Sequence, residues 1–258
     1  MAKPNDTMSL TGYDSESAPP PQYSETAVEA GSSSSSAGPV AGLYRPFPPA
    51  FTAHYQKKLL TTVFFLGEDA ARPLYAVKIP GWRTSTVDLH NGPGVDDPLL
   101  ASARDGGRWG CHAQITLPPL PGAASGSASS VEPMHSSTGL TKSTFSFAVE
   151  VSGEKQATHR ENFEWRSSRG KDIPGLEKAG RGWVLVRLGG GAGNETPEVV
   201  AYWGHTSGWS LRKGHRFQFL NSGLTGELGE RWAVMAVITA LRIWYKEFET
   251  AMVAAAVS

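Results

Sequence analysis

Ten consecutive residues near the C-terminal end of the sequence, Trp232 to Leu241, carry no charge, and Thr239 is their single polar member. They sit inside the only long helical pattern of the chain, Leu228 to Phe248, between Arg231 and Arg242. A helix on a protein surface shows one apolar stripe and one polar face. This segment is apolar all round, so it must be enclosed on every side or lie in lipid. A bilayer span needs roughly 20 apolar residues, and the stretch is too short. The expectation is a helix threaded through the middle of a folded domain, with Glu227 and Glu230 in its first turn, complementing the helix dipole.

What would enclose it is read from the preceding residues. Short β-branched or aromatic segments recur: Leu59–Leu66, Leu74–Ile79, Val87–Leu89, Trp109–Leu117, Ser143–Val151, Asn162–Ser167, Gly182–Leu188, Val199–Trp203 and His215–Leu220. Ser143–Val151 alternates cleanly, with Phe145, Phe147, Val149 and Val151 on one face. Such period-2 runs bounded by Gly, Pro, Asn and Ser are strand signatures. No long helical pattern separates them, so the sheet is expected to be mostly antiparallel. Weaker strands are expected within 43–58 and 95–108. Residues 118–141, rich in Gly, Ala and Ser, read as a flexible insertion between strands, and Gly189–Asn194 reads as a hairpin loop. A barrel of about eight strands is filled by its own side chains, whereas one of about eleven has room for a central helix. The fold class expected is therefore mainly β, a large closed antiparallel barrel around a hydrophobic C-terminal helix.

Residues 1–42 differ in kind. They are rich in Ser, Pro, Gly and Ala, with an unbroken serine run from Ser32 to Ser36. A segment of this composition cannot bury enough apolar surface to offset its ordering entropy, so a disordered tail is expected, with the barrel domain spanning 43–253. The chain has 24 basic and 24 acidic residues. That balance argues against nucleic acid, whose binding usually leaves a basic excess. Cys111 is the only cysteine, so neither an internal disulfide nor a multi-cysteine zinc site is available. The first residues lack an apolar run behind Lys3, so no signal peptide is read. An intracellular, cytoplasmic protein is expected.

Certain strings, in order, resemble the tubby C-terminal-like superfamily, which includes the tubby domain, LURP-one-related proteins and phospholipid scramblases. They are Pro73-Leu74-Tyr75 with Trp82, Leu89-His90-Asn91-Gly92-Pro93 with Pro98, Phe163-Glu164-Trp165, Trp183-Val184-Leu185-Val186, and Gly229-Glu230-Arg231-Trp232. The likeness is greatest to fungal members and covers residues 43 to 253. It implies a barrel of about twelve strands around the C-terminal helix. Tubby domains bind phosphoinositides through basic residues, but that pocket does not align to specific positions here. Scramblases carry a cysteine-rich stretch that this chain lacks.

The sharpest motif lies in the tail. Pro19-Pro20-Pro21-Gln22-Tyr23 contains Pro-Pro-x-Tyr, the form read by WW domains, with Pro20, Pro21 and Tyr23 as the ligand residues. Prolines pre-set the polyproline II conformation that docks on an aromatic-lined groove. WW domains of this class sit in HECT ubiquitin ligases, which implies a ligase adaptor or substrate. The competing reading is a chance match in a Pro-rich tail. A phosphate on Ser24 would disfavour docking in an apolar pocket.

A second candidate is the basic cluster Arg212, Lys213, His215 and Arg216, read as an anionic-lipid contact. Lys57-Lys58 is a weaker one. Ordinary solvated charge at strand ends is the competing and commoner reading. Cys111-His112 does not make a Cys-His site, because adjacent strand residues point to opposite faces. The other histidines show no metal-ligand spacing, and none of the nucleophile-elbow, Walker or His-Glu-x-x-His motifs is present. No cofactor is expected. The leading expectation is a non-enzymatic binding or adaptor protein. The alternative is a phosphoinositide- or phospholipid-binding, scramblase-like domain at membrane surfaces, and an enzyme without a recognisable motif ranks last.

Overall fold

The computed structural model describes residues 45–55, 62–80, 85–108, 111–119, 129–138, 143–152, 158–169, 179–189, 197–206 and 215–257. Twelve strands run in chain order: β1 (Ala50–Tyr55), β2 (Thr62–Gly67), β3 (Tyr75–Ile79), β4 (Val87–His90), β5 (Leu99–Arg108) and β6 (Cys111–Leu117) form the first half. The second half is β7 (Ser130–Thr138), β8 (Ser143–Ser152), β9 (Thr158–Arg169), β10 (Ala179–Arg187), β11 (Glu198–Thr206) and β12 (His215–Phe219). Each strand pairs antiparallel with the next, and β1 pairs with β12 through Ala50↔Gln218, Phe51↔Phe217 and Thr52↔Arg216. The sheet is thus a closed up-and-down barrel of twelve strands. A short helix α1 (Ser222–Thr225) leads to α2 (Gly229–Val257), which occupies the interior. We call the end where α2 begins the base and the end where it emerges the mouth.

The alternation that marks the strands is the alternation that fills the barrel. Phe51, Phe64, Val77, Leu89, Ile115, Phe147, Trp165, Leu185, Trp203 and Phe217 all turn inward into one core shared with Trp232, Met235, Val237, Ile238 and Leu241 of the helix. The filling is uneven. On β5 and β6 the inward residues include Ala101, Ala103 and Ala113, and α2 runs close to β4, β5, β6 and β8. Small side chains let the helix approach that wall, while the aromatics of β9, β11 and β12 fill the wider space opposite. One polar contact crosses the core: Trp165 Nε1 donates to Thr239 Oγ1 at 2.9 Å, and the Thr239 hydroxyl reaches back to the Met235 carbonyl at 2.7 Å. The single polar residue of the apolar stretch is therefore the partner a buried indole N–H requires.

β10 is apolar on both faces because its outer face is also covered. Val184, Val186 and Tyr202 form a second small buried cluster there, against Val199 and Leu220. Tyr202 lies across Gly182 and Gly204 and donates to the Gly180 carbonyl at 3.1 Å; a Cβ on Gly204 would stand 2.2 Å from the Tyr202 oxygen. Burial pushes the Tyr202 hydroxyl up to about 12.

Two expectations change. Residues 118–141, read as a flexible insertion, contain β7, whose inward residues are Glu132 and Met134 while Val131 faces out. The strand was invisible because a carboxylate stands where an apolar residue would be expected. Glu227 precedes the helix rather than lying in its first turn, where Glu230 is the acidic residue; Glu227 instead pairs with Arg187 at 3.2 Å. The arginines that bound the apolar stretch are themselves inside: Arg231 is 5% exposed and Arg242 1%. Residues 1–42, expected from the sequence to be a disordered tail, lie outside the described residues.

Candidate functional site

Two buried arginines divide the ends of the barrel. At the base, Arg231 is fully engaged. Its Nε meets Glu150 at 3.2 Å, Nη2 lies 3.7 Å from Glu132 and donates to Ser130 Oγ, and Nη1 donates to the Pro118 carbonyl. Arg160 joins the same carboxylates, bonding Glu132 and, at 2.7 Å, Glu150. Beside it Arg187 grips Glu161 with two bonds of 2.6 and 2.7 Å, and His159 Nε2 adds a third contact at 2.6 Å. Burial pushes the Glu161 carboxyl up, but the hydrogen bonds from Arg187 and His159 outweigh it and hold the group below its usual range. These are closed networks, with each charge answered by another. The base also holds an apolar groove of about 170 Å³, lined by Phe47, Pro49, Phe219, Leu224, Leu228 and Trp232.

The mouth is built differently. Trp183 in the middle of β10, Trp203 and His205 in the second half of β11, and His215 at the start of β12 surround a cavity of about 70 Å³ closed by Glu247 of the helix. Trp183 Nε1 donates to Glu247 at 3.0 Å. His215 stacks on Trp203 at 5.2 Å and lies 4.1 Å from His205, ring centre to ring centre. Burial, helped by the neighbouring His205, lowers His215 to about 3, so its ring is neutral.

On the other side of the mouth stands Arg242. Its Nε and Nη1 are buried without a hydrogen-bond partner. The nearest carboxylate, Glu249, lies 4.0 Å away and is shared with Lys246 at 3.8 Å and with the Ser85 hydroxyl at 3.0 Å. Burial lowers the affinity of Arg242 for its proton. Near enough to feel its charge is His112, at a bulge in β6 between Cys111 and Ala113. The bulge breaks the alternation and turns the ring onto Phe145 at 4.7 Å, leaving Nε2 buried and without a partner. Burial, then the charges of Arg242 and Lys246, bring His112 down to about 4.

The residues singled out in the sequence fare unevenly. His215 and Arg216 do not act together: His215 turns into the mouth and is neutral, whereas Arg216 is exposed on the outer face, opposite Thr52 and Gly204. Arg212 and Lys213, the pair Lys57-Lys58, and the tail residues Pro20, Pro21 and Tyr23 lie outside the described residues. Arg242, His112, Trp183 and Glu247 were not selected by sequence reasoning. The one available signal was an arginine at the end of an otherwise apolar run. No group of three or more His, Cys, Asp or Glu side chains among the described residues is placed to hold a metal ion. Comparison with protein-family models, curated proteins and solved structures returned no match.

Proposed function

We propose that this chain is a non-enzymatic binding or adaptor protein of the tubby C-terminal-like superfamily. Its tail recruits a WW-domain partner through Pro20, Pro21 and Tyr23, and its barrel acts through its surface and ends. The observation that carries this reading is the filled interior: α2 packs against inward side chains all round the barrel. Small-ligand pockets run to about 300–1,000 Å³ and bury most of their ligand. The two described cavities, of about 70 and 170 Å³, fall well below that. Described cavities this small suit a domain that presents a surface while a neighbouring segment does the recruiting. The test is binding of a residue 1–42 peptide to a panel of WW domains, HECT-ligase members included, beside its Tyr23→Ala form. Tight binding lost in the variant is the expected result; binding indifferent to Tyr23 sinks the reading.

A second reading, reversible contact of the barrel with anionic phospholipid, is favoured by the emergent end of α2. Ala251 to Ala255 are all exposed, with Met252 at 42% and Val253 at 66%. An apolar helix end beside Lys246 suits an interfacial contact. No described helix is long and apolar enough to cross a membrane. On this reading the protein is cytoplasmic and peripheral at membranes.

A further inference from the structure

The mouth holds a cation for which the described protein supplies no hydrogen-bonding anion. Arg242 is 1% exposed, two of its nitrogens lack partners, and no carboxylate comes closer than 4.0 Å. A charge left in that state costs several kcal/mol unless something pairs with it. The same chain shows the alternative at the base, where Arg231 on the same helix meets two carboxylates, a carbonyl and a hydroxyl. Near enough to Arg242 to feel its charge, a β-bulge re-aims His112, whose buried Nε2 is also unanswered. Bulges of this kind commonly turn a side chain toward a site.

We propose that the mouth of the barrel is a binding site for an oxyanion of the phosphate class, held between Arg242 of α2 and His112 of β6. The anion accepts from Arg242 Nε and Nη1 and, with the imidazole proton on Nε2, from His112. Charge-assisted bonds of this type are about twice as strong as neutral ones. Access is short, because Arg242 lies one helical turn inside Lys246, an exposed residue. The groups facing the site set its limits. Lys246 adds to the attraction, and Tyr245 lies with its ring centre 5.9 Å from the guanidinium carbon. Asp105 and Glu249 oppose the anion, but Glu249 is already engaged by Ser85 and Lys246. The chemistry is shared by free phosphate and by a phospholipid headgroup.

The test is a thermal melt of the full chain with inorganic phosphate at constant ionic strength, alongside Arg242→Met and Arg242→Lys. Wild type is expected to gain about 5–10 °C at roughly a hundredfold excess over the dissociation constant. Arg242→Met, which removes the buried charge, is expected to melt no lower than wild type without phosphate and to be indifferent to it. Arg242→Lys keeps a charge but not the guanidinium and should respond less. Equal phosphate shifts in wild type and Arg242→Met overturn the proposal. If Arg242→Met does not fold, the His112 ring resonances of wild type decide: phosphate must shift them and raise the His112 pKa from about 4, and unchanged resonances overturn it. Vesicles of phosphatidylcholine with and without phosphatidylserine separate the sources. Serine-lipid-dependent binding that inorganic phosphate displaces assigns a headgroup, and a thermal response without vesicle binding assigns a free oxyanion. Absence of both overturns the proposal.

Discussion

At the scale of single residues, the molecule keeps neutral histidines in places where a charge would be costly. His112 and His215 protonate at about 4 and about 3, well below the usual 6.5, chiefly because they are buried. In the unfolded chain both take up protons near 6.5, so the unfolded state binds more protons below that pH. Stability is therefore complete above 6.5 and declines as pH falls toward 4 for His112 and 3 for His215. Glu247, raised by burial, works in the opposite sense, since its folded form holds a proton more readily. The expected outcome is a melting temperature that falls steadily from pH 7 to pH 5, with a shallower fall in His215→Phe. A flat wild-type profile across that window refutes the assignment. A second residue-scale prediction concerns Thr239. Replacing it with Val keeps its volume but leaves Trp165 Nε1 without an acceptor. The loss should be about 1–3 kcal/mol by urea denaturation, and a variant as stable as wild type would show that the bond contributes nothing.

At the scale of elements, legibility followed side-chain size. β8 was plain because Phe145, Phe147, Val149 and Val151 all face in. β5 is harder to see because two of its inward residues, Ala101 and Ala103, are small to make room for the helix. β7 was missed outright: it presents Glu132 to the interior, and only its distant partners, Arg160 and, about a hundred residues later, Arg231, make that inward carboxylate sensible. The mouth was illegible for the same reason, since only the closed barrel brings His112 within reach of the Arg242 charge. The helix, by contrast, needed no partner to be read, and Trp232 to Leu241 is buried nearly throughout. Ala236→Asp and Val237→Asp each place an unpaired carboxylate in that core and should abolish cooperative unfolding. Two variants that melt like wild type would disprove the enclosed helix. Glu132→Ala should cost about 1–3 kcal/mol, because it leaves the buried Arg231 with Glu150 as its remaining carboxylate, while Arg160 is half exposed and also keeps Glu150; a loss well under 1 kcal/mol would make the network ornamental.

At the scale of the whole molecule, closure and filling depend on each other. The β1–β12 pairing joins residues about 165 apart, as in Phe51↔Phe217, and closure removes every exposed sheet edge. A ring of twelve strands without its helix would enclose a void lined by Leu89, Ile115 and Trp165. A void of that size forfeits the contacts of every residue lining it, so the barrel and α2 should fold as one unit. The helix also runs past the barrel, and this separates two roles within one element. From Arg231 to Tyr245 nearly every residue is buried, whereas Ala251 to Ala255 are exposed and are not members of the buried core. Stability should therefore reside in the first part and any interfacial contact in the second. Deleting residues 251–258 is expected to leave the melting temperature within about 2 °C of wild type, since surface changes away from packed features shift stability by about 0.5 kcal/mol or less. The same deletion should weaken sedimentation with phosphatidylserine vesicles if the emergent end meets lipid. A large drop in melting temperature would mean that the terminal turns pack on the barrel. Unchanged stability with unchanged vesicle binding would remove the helix end from the lipid reading and leave the mouth itself as the surface that meets the headgroups.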